Sequence, residues 1–195
     1  MSTLLFPPRT LLPPSLPLLS RSKTTKSQAL WLVRQQNDHH VTTRGSFRAR
    51  SAFKLMELNK HYKLLRPSVR LVVDLGASPG GWSQVVMQQP KKNVVAVDLL
   101  PMEPIPGVQF VQGDFMEEVT QAKIRHKFRT VGDGLRTRAD LVLSDMAGNV
   151  TGHGAKDAEQ AFGIVKSCLE FAKVGLRVGH YHAKDGVWRP GGTLV

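Results

Sequence analysis

Leu71-Val72-Val73-Asp74-Leu75-Gly76-Ala77-Ser78-Pro79-Gly80-Gly81-Trp82 is an apolar run that stops abruptly at a glycine-rich turn, and an amphipathic segment from Trp82 to Gln88 follows at once. The pattern predicts a strand, a tight loop and the start of a helix. Glycines at such a turn let the backbone come close to a ligand, and the first N–H groups of the following helix face it. A nucleotide-like cofactor is the expected occupant. A second apolar run, Asn93-Val94-Val95-Ala96-Val97, ends in Asp98, 22 residues after Gly76. An acid at that distance can accept hydrogen bonds from ribose hydroxyls, so the two segments together imply an adenosine-binding βαβ unit.

Other readings of the glycine loop fit less well. A dinucleotide fingerprint needs glycine at positions 76, 78 and 81, but position 78 is Ser and Pro79 interrupts the helix start. Gly76-Ala77-Ser78-Pro79-Gly80 also matches the G-x-S-x-G nucleophile elbow, with Asp145 and His153 or His180 as partners. That elbow sits on a central strand with several strands before it, and nothing between the leader and Leu71 reads as a strand. A glycine turn with no ligand leaves Asp98 and the segments described next without a purpose.

Those further segments are Trp31-Leu32, Arg50-Ser51-Ala52-Phe53-Lys54-Leu55, Val97-Asp98-Leu99-Leu100-Pro101-Met102, Gln112-Gly113-Asp114-Phe115 and Leu143-Ser144-Asp145-Met146-Ala147-Gly148-Asn149. With the stretch from Val72 to Gln84, they are ordered and spaced as in the FtsJ/RrmJ family of S-adenosylmethionine-dependent ribose 2′-O-methyltransferases. The chain resembles that family, most closely its mitochondrial large-subunit rRNA branch, over about residues 30–150. The resemblance implies a Rossmann-like, doubly wound, mostly parallel α/β sheet and S-adenosylmethionine as cofactor. It also implies methylation of a ribose, a uridine, in large-subunit rRNA, with free rRNA or the ribosomal subunit as partner. Gly76, Gly80, Trp82, Asp98, Asp114 and Asp145 are then the cofactor residues, with Asp114 beside the adenine. Lys54 and Asp145 are the catalytic residues, two members of a Lys-Asp-Lys-Glu set that handles the hydroxyl proton. Asp145 stands out without the family as well, because it ends an apolar strand, where α/β sheets place their sites. One departure is Gly148, where the family usually has Pro; glycine makes that loop more flexible.

Composition agrees with an α/β domain plus an extension: 195 residues, 41% hydrophobic, with a formal charge of +12. The charge is uneven. Residues 1–70 hold 13 Lys and Arg against 2 acids, while residues 71–195 hold 14 against 13. A basic approach to a near-neutral cofactor domain suits a polyanion, since each phosphate neutralised releases counterions. Arg44, Arg48, Arg50 and Lys60, in and just before a basic helix expected at about residues 47–61, are the candidate RNA contacts. Residues 1–37 lack acids, carry Arg9, Arg21, Lys23, Lys26 and Arg34, and are rich in Ser, Thr and Leu, as in transit peptides. They read as a mitochondrial leader to the matrix, and residues 38–195 as the methyltransferase domain. The run Leu11 to Leu19 is broken by Pro13, Pro14 and Pro17, and no apolar stretch reaches the length of a bilayer span, so no membrane association is expected.

Strands are expected at about 71–75, 93–98, 108–111 and 140–144, a helix near 156–174 and a last strand opening at Thr193. Within the apolar stripe of the first helix, Ala52, Phe53, Leu55, Met56 and Leu58 should face the core. His39-His40 and His180-x-His182 lack Cys or carboxylate partners at metal-binding offsets, so no metal is expected. The lone Cys168 excludes a disulfide framework and reads as a buried small residue on a helix. The chain is expected to act as a monomer.

The turn Arg189-Pro190-Gly191-Gly192 and the strand Thr193-Leu194-Val195 look like those that, in the family, run into the catalytic lysine about two residues further on. Residues 175–188 read as if one helix-to-strand turn were written twice. Without the second lysine and the later glutamate, the 195-residue form is expected to bind cofactor but to have little activity; an inactive RNA- or cofactor-binding fragment is the alternative.

Overall fold

The computed structural model describes residues 47–131, 137–147, 151–178, 180–182, 187–189 and 191–195. The leader and Arg44 lie outside them. The chain runs α1 (Ser51–Tyr62), β1 (Leu71–Leu75), α2 (Gly81–Met87), β2 (Asn93–Asp98), β3 (Val108–Gln112), α3 (Glu118–Thr130), β4 (Leu141–Ser144), α4 (Gly154–Gly175), β5 (His180–His182), β6 (Val187–Arg189) and β7 (Thr193–Leu194).

Five strands form one sheet in the order β3-β2-β1-β4-β7, and every pairing is parallel. This matches the expected α/β architecture. All five residues of β1 are buried, because the central strand is covered on both faces and its side chains divide between two cores. Val72 packs with Ala52 and Leu55 of α1 and Val85 and Val86 of α2. Leu71, Val73 and Leu75 pack on the other face with Ile124 and Phe128 of α3 and Cys168 and Phe171 of α4.

Several boundaries differ from the sequence reading. The first helix starts at Ser51 rather than about 47, because Arg48 donates its backbone N–H to the Gln84 side chain at 2.7 Å and is spent on a loop contact. Met56 is 43% exposed, so the core-facing stripe is narrower than expected. Asp140 falls just outside β4, and its carboxylate accepts the backbone N–H groups of Arg70 and Leu71 at 2.8 and 3.0 Å. The segment that reads as a repeated turn holds an antiparallel pairing of β5 with β6, in register Tyr181 with Trp188, separate from the main sheet. Among the described residues no helix is long and apolar enough to cross a membrane.

Asp140 is 3% exposed and also accepts from Arg177 Nε at 2.9 Å, joining the starts of β1 and β4 to the end of α4. Asp140→Ala leaves those backbone donors without partners and is expected to cost about 2–4 kcal/mol. Urea unfolding checks this; a loss under about 0.5 kcal/mol, the size of an ordinary surface substitution, contradicts it.

Candidate active site

The glycine loop is shaped by close approach. Gly76 has φ of +75°, and a Cβ there would collide with the Met146 side chain, so the loop after β4 closes directly onto the loop after β1. Gly80, at φ +110°, faces Ile105, whose Cδ1 would lie 2.6 Å from an added Cβ. The backbone N–H groups of Gly76 and Ala77 donate to Val97 O, and that of Ser78 to Asp98 Oδ2 at 2.8 Å. No side chain caps the start of α2, which leaves the polarity of its first turn suited to an anionic group of a ligand.

Parallel pairing then gathers acids at the carboxyl ends of β1, β2 and β4. Asp98 holds its loops in place, accepting Ser78 N with one oxygen and Leu100 N with the other at 2.7 Å. Burial raises its pKa above the ordinary carboxylate range, against the effect of those N–H bonds. Asp145 is raised by burial as well, opposed by a hydrogen bond from the Ser51 hydroxyl and by the charge of Lys54. The structure thus brings Lys54 and Asp145 together across α1 and β4. Lys54 Nζ also lies 6.0 Å from the Trp82 ring centroid. Asp114 accepts the Met116 N–H at 2.8 Å in a tight turn after β3.

The sequence reading missed Asp74. It is wholly buried at the end of β1; Oδ2 accepts the Ser83 hydroxyl at 2.7 Å, and Oδ1 has no partner among the described residues. Burial raises its pKa to about 7, with Asp145 and Asp98 adding to the rise and the Ser83 bond opposing it. The signal was present as an acid inside a strand otherwise made of Leu and Val. Ser51 and Ser83 were missed because a single serine on a helix carries no spacing signature.

Two expected contacts have different surroundings. Trp82 is 3% exposed and its indole N–H donates to Ser51 O at 2.9 Å, so the ring braces α1 against α2. Arg48, expected to face phosphate, instead donates its guanidinium to the carbonyls of Glu103 at 2.5 Å and Pro104 at 2.9 Å, and reaches Pro79 O at 3.5 Å. It ties the segment before α1 to the glycine loop through three converging carbonyls. Arg50 and Lys60 are exposed but stand at opposite ends of α1, about 15 Å apart along its axis. Lys60 is therefore separate from Arg48 and Arg50. Beside the acids, a groove of about 450 Å³ is lined by Phe115, Met116, Met146, Ala147 and Ile164, large enough for part of a nucleoside. Among the described residues no group of three or more His, Cys, Asp or Glu could hold a metal ion.

The raised pKa of Asp74 has a definite consequence for stability. A carboxyl that titrates near 7 when folded and near 4 when unfolded favours the folded state fully at low pH, and that contribution is lost as pH rises towards 7. Asp74→Asn, neutral throughout, should gain on the wild type by a few kcal/mol between pH 4 and 7.5, at up to about 1.4 kcal/mol per pH unit. Urea denaturation across that range is the measurement, and parallel profiles for the two proteins contradict the assignment.

Residues 47–192 match the family model described as FtsJ-like methyltransferase. A protein of Rickettsia akari named ribosomal RNA large subunit methyltransferase E is 43% identical over 172 residues, covering 83% of this chain and 72% of that protein. A protein of the same name from Gluconobacter oxydans is 41% identical over 155 residues, and there the match takes in 78% of this chain but only 54% of the relative. A solved structure from Plasmodium falciparum, assigned as a ribosomal RNA methyltransferase, superposes with a TM-score of 0.60 at 27% identity, over 68% of this chain and 74% of that one. By these matches the chain belongs to the FtsJ-like methyltransferase family.

Proposed function

We propose that the protein transfers a methyl group from S-adenosylmethionine to a ribose 2′-hydroxyl of large-subunit rRNA, at a uridine, in the mitochondrial matrix. The observation that carries the reading is the meeting of Asp145, Ser51 and Lys54 beside the buried Asp74 and the half-buried Asp98. Such an acid-lined end is a poor seat for phosphate and a good one for a cationic ligand, whose charge offsets the repulsion among the carboxyls. S-adenosylmethionine, when bound, supplies a sulfonium methyl already activated for attack.

The chain's part is to hold, orient and exclude water. Gly76 and Gly80 let the loop backbone approach the ligand, Asp98 offers its remaining lone pairs to ribose hydroxyls, and Asp114 stands beside the adenine. Lys54 and Asp145 orient the substrate hydroxyl and hold its proton, with Ser51 fixing the Asp145 carboxylate and Trp82 bracing the helix that carries both Ser51 and Lys54. Positioning of this kind suits a reaction whose electrophile needs no further activation. The family relatives named for rRNA methylation support rRNA as the substrate, and the acid-free residues 1–37 support the mitochondrial location.

In cells lacking the gene, one ribose of mitochondrial large-subunit rRNA should lose its methyl group and become sensitive to alkaline cleavage. Restoring the wild-type gene should return the protection. Asp145→Ala, with the 10²- to 10⁴-fold loss typical of a removed proton-handling group, roughly, should not. An unchanged methylation pattern overturns the reading. Loss of a methyl group from cytosolic rRNA keeps the chemistry but overturns the location.

A further inference from the structure

We propose that the face at the amino ends of the strands, opposite the acid-lined site, is a second RNA-binding surface that holds duplex phosphates of the same rRNA at a distance from the nucleotide being modified. This rests on the rRNA reading above and concerns a different part of the molecule. Lys63 and Arg66 follow α1, Arg70 precedes β1, Lys91 precedes β2 and Arg138 precedes β4, so the topology brings these cations to one end of the sheet. All are exposed. Hydrogen bonds show that the segments adjoin: Asn93 N donates to Arg70 O, Lys92 Nζ to Arg66 O and Val69 O, and Arg138 Nη1 to Leu176 O. The charge of Arg70 lowers the pKa of the buried Lys92, second to burial itself. Asp140, an acid within this face, is buried and taken up by Arg177 and two backbone N–H groups.

Two observations set this face apart from an ordinary solvated surface. Cations in the last turn of a helix offset its dipole, which accounts for Lys60 and His61, but Arg66, Arg70, Lys91 and Arg138 lie in loops. Lys63 and Lys91 have φ of +52° and +58°, and among the described residues they are the non-glycine positions with positive φ. Glycine or asparagine relieves that strain, and this chain has lysine at both. Among the described residues no carboxylate pairs with Lys63, Arg66 or Lys91. Exposed cations across one face, two of them at positive φ, match the repeating negative charge of a nucleic-acid backbone. The cofactor end carries four carboxyls, and there Arg48 is engaged by carbonyls.

The test is the salt dependence of affinity for a duplex-containing fragment of large-subunit rRNA, using the full chain. Lys63→Gln/Arg66→Gln/Lys91→Gln should lower the log–log slope by about 2.1 to 2.7, taking roughly 0.7–0.9 per contact. Lys123→Gln/Arg125→Gln/Lys166→Gln removes the same charge from exposed positions on α3 and α4 and should leave the slope within about one contact of the wild type. Cofactor affinity should be unaltered in both variants, read by calorimetry with S-adenosylmethionine. Equal slopes for the wild type and the first variant overturn the proposal, as do equal losses in the two variants, which report net charge alone. Absence of cofactor binding in the wild type strikes the functional reading and leaves the RNA comparison to stand by itself.

Discussion

Parallel pairing of β1 with β2 on one side and β4 on the other forces the carboxyls of Asp74, Asp98 and Asp145 to the same end of the sheet, where burial raises all three. Much else in the structure answers that constraint. The N–H groups of Ser78 and Leu100 hold Asp98, the Ser83 hydroxyl holds Asp74, and Ser51 and Lys54 hold Asp145. Each of those donors belongs to a segment that must lie close to its acid, so the acids organise the loops as much as the loops shelter the acids. The Asp74 oxygen that has no partner among the described residues marks where compensation is incomplete.

A fold that concentrates acids at one end can place cations at the other. The five strands of the main sheet all run the same way, so loops before them share one face and loops after them share the opposite face. Arg70, Lys91 and Arg138 fall on the first; Asp98, Asp114 and Asp145 fall on the second. The cationic cofactor and polyanionic substrate proposed above would make opposite electrostatic demands, and separating the charges along the sheet would meet both.

The sequence made the parallel sheet legible because β1, β2 and β4 are apolar runs ended by glycine or an acid, a local pattern that survives in the fold. Asp98 and Asp145 were legible for the same reason, each ending its run. Other features depend on contacts distant in sequence. Arg48 reads as one more cation of a basic segment, and only the approach of residues 79 and 103–104 converts it into a clasp on carbonyls. Trp82 reads as part of a cofactor loop, whereas the packing of α1 on α2 turns its ring inwards. Lys60 and Arg50 read as neighbours in one basic stretch, and the length of α1 separates them. The three-residue strands β5 and β6 are too short to show a period, so their pairing looked like a repeated turn.

The central claim is that the acid-lined end of the sheet binds S-adenosylmethionine with Asp98 in direct contact. Calorimetric titration of S-adenosylmethionine into this chain and into Asp98→Ala tests it most directly. The account predicts stoichiometric binding to the wild type and a weakening of about 1.5–3 kcal/mol in the variant, roughly ten- to 150-fold, as a charged acceptor is lost. Equal affinity in the two proteins, or no binding to a wild-type chain that is folded, contradicts it.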